Sequence, residues 1–152
     1  MLIRIMSESP SDQLVSAMRT LQIALDHHDA AISAAQKMAR NDWRCLQFLI
    51  EDGPQSPRAI QERLGLTSGS VTALLDRLER RGFVARAPNP EDRRGLHIMP
   101  RAKAEALVHE AGDALSRVTS KLAQRWGPDR SYAAQQACLD LAKLVEWSAH
   151  RV

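Results

Sequence analysis

The stretch that most limits what this chain can become runs from Thr67 to Arg94 and reads TSGSVTALLDRLERRGFVARAPNPEDRR. Val71, Leu74, Leu75 and Leu78 recur at three- and four-residue steps and form one apolar stripe. Ser68, Gly69, Ser70, Thr72, Ala73, Asp76, Arg77 and Arg80 fall around the other side. This period predicts a helix. Thr67 stands where its hydroxyl accepts from the N–H of Ser70, and Leu66 can staple onto Val71, so the start is well specified. The exposed face opens with small or hydroxylated side chains, which lets backbone N–H groups and the positive end of the helix dipole approach phosphates and base edges unobstructed. An ordinary amphipathic surface helix carries the same stripe, so the flanking residues must decide between the two readings. Gly82 supplies a left-handed cap; Phe83 to Arg86 then reads as a strand, Pro88 to Asp92 as a turn, and Leu96 to Met99 as the returning strand.

Upstream, Ser56 and Pro57 open a short helix at its N-cap and first position, Ile60 and Leu64 carry it, and Gly65 ends it two residues before Thr67. Helix, tight turn, helix and hairpin in that order predict a winged helix-turn-helix. The run DGPQSPRAIQERLGLTSGSVTALLDRLERRGFVARAPNPEDRRG resembles the core of MarR-type transcriptional regulators. The resemblance spans roughly Asp42 to Leu107 and rests mainly on VTALLDRLERRGFVAR and the PEDRR wing. It implies a winged-helix core that dimerises through helices at both chain ends. Just past the wing the family usually has Leu-Thr with Gly three residues later, whereas Pro100, Arg101 and Ala104 stand here, so a differently shaped entry into the next helix is expected.

At 152 residues, 44% hydrophobic and 26% charged, the chain has the composition of one globular domain; few aromatics and sparse glycine favour a mainly α protein over a sandwich or barrel. Between Ser11 and about Met38, Leu14, Met18, Leu21, Leu25, His28, Ile32 and Ala35 predict a long helix with a seam for a partner. Asn41 or Asp42 can cap a second helix that ends at Asp52-Gly53-Pro54. Ala104 to Trp126 predicts another long helix, stopped by Gly127-Pro128, and a last one begins near Asp129. The expected organisation is a single domain over 1–152, in which helices 11–38 and 101–150 flank a winged helix-turn-helix at 41–100. The terminal helices carry more apolar stripe than this core can cover, so a homodimer is expected. Two-fold symmetry would then set two recognition helices about one DNA turn, roughly 34–36 Å, apart on a pseudo-palindromic operator.

Charge points the same way. Between Arg58 and Arg94 there are eight arginines against five acids, an excess equal to the +3 of the whole chain. Expected groove contacts are Ser68, Ser70 and Thr72 beside the cap Thr67, with Arg77 reaching a phosphate or a guanine edge. Asp76 is expected to pair with Arg80 at i,i+4. Arg86 is expected to meet the DNA backbone, and Ser56 and Arg58 to touch phosphate. In the wing, the resemblance implies Asp92 orienting Arg94 at the minor groove, with Arg93 the alternative for insertion. It also implies a cleft for a small aromatic or anionic effector, with His28, Trp43, Arg44 and Leu46 as candidate lining residues, although Trp43 has a plainer reading as core.

Adjacent histidines such as His27 and His28 point about 100° apart on a helix, so neither a metal nor another cofactor is expected. Cys45 and Cys138 form no metal motif or disulfide framework and read as buried, reduced thiols. Phosphate loops, nucleophile elbows and dinucleotide fingerprints are missing, so an enzyme is not expected. No run approaches the ~20 apolar residues of a membrane span, and MLIRIM is too short for a signal segment; a cytoplasmic location is expected. The rival reading is a winged-helix module that grips an acidic protein rather than DNA.

Overall fold

The computed structural model describes residues 9–89 and 95–149. Within them the chain forms α1 (Pro10–Ala35), α2 (Arg40–Glu51), α3 (Pro57–Leu64), α4 (Ser68–Arg80), β1 (Val84–Pro88), β2 (Leu96–Pro100), α5 (Ala102–Trp126) and α6 (Pro128–Ala149). The mainly α, winged helix-turn-helix reading is correct. Two compact units divide the chain, Met1–Val108 and His109–Val152.

In the first unit each helix start has a local chemical cause. Ser9 caps α1 through a capping box with Asp12, whose N–H donates to Ser9 Oγ at 3.3 Å while the Ser9 N–H donates to the Asp12 carboxylate at 3.2 Å. Its end falls three residues short of the predicted Met38: Gln36 caps it, and Lys37 takes a positive φ of 48° that sequence rules reserve for glycine. The predicted cap of α2 is also revised. Ala39 is its N-cap and makes no side-chain cap bond, while Asp42 turns inward and is buried. At α3 and α4 the caps fall where expected, with the Ala59 N–H donating to Ser56 Oγ at 3.1 Å and the Ser70 N–H to Thr67 Oγ1 at 3.3 Å.

The core closes around Trp43, Leu46, Leu49, Ile60, Leu74, Leu78, Phe83, Val84 and Ile98, all nearly inaccessible to solvent. Strands β1 and β2 pair antiparallel, with Arg86 opposite Ile98 and Val84 opposite Pro100. Gln55, between α2 and α3, adds a one-residue bridge to the sheet, exchanging backbone bonds with Ile98 at 2.8 and 3.2 Å. Past the wing, the Arg101 N–H donates to the Phe83 carbonyl at 2.9 Å, and Ala104 packs fully buried at the start of α5, a small side chain at a crowded position.

The second unit comprises the rest of α5 and α6, joined at Gly127, whose φ of 78° makes the turn. The Ser131 hydroxyl donates to the Gly127 carbonyl at 2.7 Å, and the Arg130 guanidinium lies 4.8 Å from the Trp126 ring centroid. Leu115, Val118, Leu122, Leu139 and Leu144 are exposed on these helices.

Candidate nucleic-acid interface

The first turn of α4 has the surface its sequence implies. Thr67, Ser68, Gly69, Ser70, Thr72 and Ala73 are exposed, while Val71, Leu74, Leu75 and Leu78 are buried below them. Thr67 Oγ1 and Ser70 Oγ lie 2.9 Å apart, and the Thr72 hydroxyl donates to the Ser68 carbonyl at 3.0 Å. These bonds hold three hydroxyls close to the helix barrel, leaving a smooth end that a groove wall can approach.

The arginines behave differently from expectation. Arg77 is committed to α2: its Nη2 donates to Asp42 Oδ1 at 2.7 Å and its Nε to Asp42 Oδ2 at 3.3 Å. This bidentate bond holds the guanidinium charge firmly and raises the arginine's pKa. A guanidinium so engaged does not extend toward a base edge; its work here is to brace α4 against α2. Arg86 donates to Asp76 at 2.6 Å and to Glu79, which also accepts from the Arg86 backbone N–H at 3.2 Å. Asp76 therefore pairs with Arg86 across to the strand, not with Arg80 along the helix. Two carboxylates on one guanidinium leave Arg86 as the tie between wing and α4 rather than a free phosphate ligand. Arg58 is exposed at the start of α3 and bonds Glu62 at 2.9 Å, and Ser56 is spent on its capping bond. Asp92, Arg93 and Arg94 lie outside the described residues.

Of the four effector candidates, Trp43 and Leu46 are core. The Trp43 indole N–H donates to Asp29 at 2.9 Å, tying α2 to α1, and Leu46 is inaccessible. His28 is half-buried on α1. Arg44 borders a cleft of about 280 Å³ together with Gln47, Phe48, Glu51, Arg63 and Leu64. Arg63 stacks over the Phe48 ring with its guanidinium carbon 5.5 Å from the centroid.

Burial raises the Cys45 thiol to about 12, helped by the Asp42 charge, so it is neutral and unreactive; Cys138 is exposed, contrary to expectation. No grouping of three or more His, Cys, Asp or Glu suited to a metal occurs among the described residues, and no described helix is long and apolar enough to cross a membrane. What sequence reasoning missed was the acidic half of the bracing, Asp42, Glu79 and Asp29, because these partners lie in different elements, 7 to 35 residues apart, and leave no periodic trace.

Comparison with known proteins accords with this geometry. Residues 38–96 match the model of the MarR family. The uncharacterized HTH-type transcriptional regulator YcgE of Bacillus subtilis (strain 168) is 35% identical over 99 residues, 65% of this chain and 64% of that one, so the chain spans a little under two thirds of this relative's length. A MarR family protein from Bacillus stearothermophilus shares the fold with a TM-score of 0.76 at 19% identity, over 90% of this chain and 95% of that one. NadR in complex with 4-hydroxyphenylacetate shares it at 0.60 and 22%, over 90% and 94%. The winged-helix region of this chain is thus similar to the MarR family and to HTH-type transcriptional regulators.

Proposed function

We propose that the protein is a sequence-specific, double-stranded DNA-binding transcriptional regulator that acts as a homodimer on a pseudo-palindromic operator. The observation that carries this reading is the exposed, hydroxyl-rich first turn of α4, held up by buried leucines and braced through Arg77 and Arg86 beside a two-stranded wing. A rigid helix end loses little entropy on entering a groove, and its free N–H groups favour phosphate. Support for two copies comes from α1, where Leu14, Leu21 and Ile23 are about half exposed, and from the apolar positions of α5 and α6.

Repression relieved by a small aromatic or anionic effector extends the reading. NadR was solved with an aromatic carboxylate, and the cleft beside Arg44 and Arg63 offers this chain both a cationic rim and a phenyl ring. The test is a mobility shift with duplexes taken from upstream of the protein's own reading frame, beside a generic duplex at low salt. One upstream duplex should shift at least about tenfold more tightly than the generic one, and Arg94→Ala should weaken it with the dimer intact. Retention of every duplex at free mobility would remove DNA as the partner and favour an acidic protein.

A further inference from the structure

A second cleft, of about 310 Å³, lies between the α1–α2 turn and the last turn of α4, lined by Lys37, Ala39, Asp42, Arg77, Arg80 and Arg81. Four of these six residues are cations and one is an acid. Asp42 gives both its oxygens to Arg77, so that pair is internally balanced. Arg81 donates to the Gln36 carbonyl at 2.7 Å and to the Lys37 carbonyl at 3.1 Å, neutral acceptors that fix the guanidinium without cancelling its charge. Lys37 and Arg80 make no ion pair among the described residues. A further cation closes in, since Lys103 Nζ donates to the Arg81 carbonyl at 2.9 Å.

The negative end of the α4 dipole offsets roughly half a charge of this excess. What remains is a concave positive field between two elements, at the opposite end of α4 from the groove-facing turn. Ser68 and Arg80 are twelve residues apart, roughly 18 Å along the axis at ~1.5 Å per residue. The volume corresponds to about ten water molecules at ~30 Å³ each, room for one small anion and its hydration.

We propose that this cleft binds a small polyanion, a phosphate- or polycarboxylate-bearing metabolite, held by Lys37, Arg80 and Arg81. Such a ligand clamps the α1–α2 turn to the end of α4, and so reaches the recognition helix from the side away from DNA. The site is distinct from the effector cleft beside Arg44.

The test titrates the full chain, free of DNA, with inorganic phosphate against chloride at matched ionic strength, followed by calorimetry and by amide chemical shifts. One saturable site per chain is expected, with shifts concentrated at 36–39 and 78–82. The Lys37→Ala/Arg80→Ala double variant should bind at least about tenfold more weakly, and Arg44→Ala as the parent does. Both Lys37 and Arg80 are exposed, so the double variant should keep the parent's circular dichroism. Absence of saturable binding, unchanged affinity in the double variant, or loss on Arg44→Ala instead would each overturn the proposal. Because no duplex is present, failure of the DNA-binding reading leaves this result unaffected. In a second arm with a generic duplex, lost DNA binding by the double variant alongside silence toward phosphate would assign these cations to the nucleic-acid backbone and also overturn the proposal.

Discussion

The winged-helix core and the terminal helices use one sequence grammar, apolar residues at three- and four-residue steps, and reach opposite ends. In the core the stripe of α4 is shut away: Leu74 and Leu78 are 1% and 0% exposed. Along α1, and in the second unit, comparable positions face solvent, with Leu21 at 55% and Val118 at 65%. Burying a leucine side chain stabilises by roughly 1.5–3 kcal/mol, so the terminal stripes hold back free energy that the isolated chain does not collect. The core has spent its hydrophobic surface on its own fold; the ends leave theirs exposed, where the proposed second copy would cover it.

The strongest way to break that contrast is Leu78→Ala. Its cavity at the centre of the core should cost about 2–5 kcal/mol, seen as a lower denaturation midpoint with an unchanged urea slope. A smaller loss, about 1–2 kcal/mol, is expected for Asp42→Ala, since the freed Arg77 is half exposed and can hydrate. That variant should also loosen the brace, speeding amide exchange along α4 more than along α3. At the ends the prediction reverses. Leu144→Lys should leave helical content and the isolated chain's stability within about 0.5 kcal/mol, yet weaken self-association at least about tenfold in sedimentation. Equal stability losses for Leu78→Ala and Leu144→Lys would erase the distinction.

The cysteines report the same contrast with the least perturbation. At pH 8 an aromatic disulfide reagent should label Cys138 at once and Cys45 only in denaturant. The sign of the pH effect follows from the raised thiol. Below its ordinary value of 9.0 both folded and unfolded chains hold Cys45 neutral and it has no influence. From there to about 12 the unfolded chain alone ionises, so stability falls as pH rises.

Much of the core was legible because its signals are local. Thr67 and Ser56 reveal helix starts by chemistry within three residues, and Gly65 and Gly82 mark turns that need a positive φ. Lys37 hid the end of α1 because it adopts a glycine-like conformation without being glycine. The site was less legible. Exposed arginines in sequence look alike, and only the fold reveals that Arg77 faces a buried carboxylate and Arg86 one exposed and one half-buried carboxylate, whereas Arg80 has neither. The wing tip, with Asp92, Arg93 and Arg94, rests on resemblance alone.

The central claim is that the α4 end and the wing grip duplex DNA through phosphate contacts, as paired copies. Fluorescence anisotropy of a labelled upstream duplex, titrated at stepped salt concentrations, tests it most directly. The account predicts two chains per duplex and a log Kd that rises steeply and linearly with log salt, by about 0.9 for each phosphate contacted. A salt-independent affinity, or saturation at one chain per duplex, would contradict it.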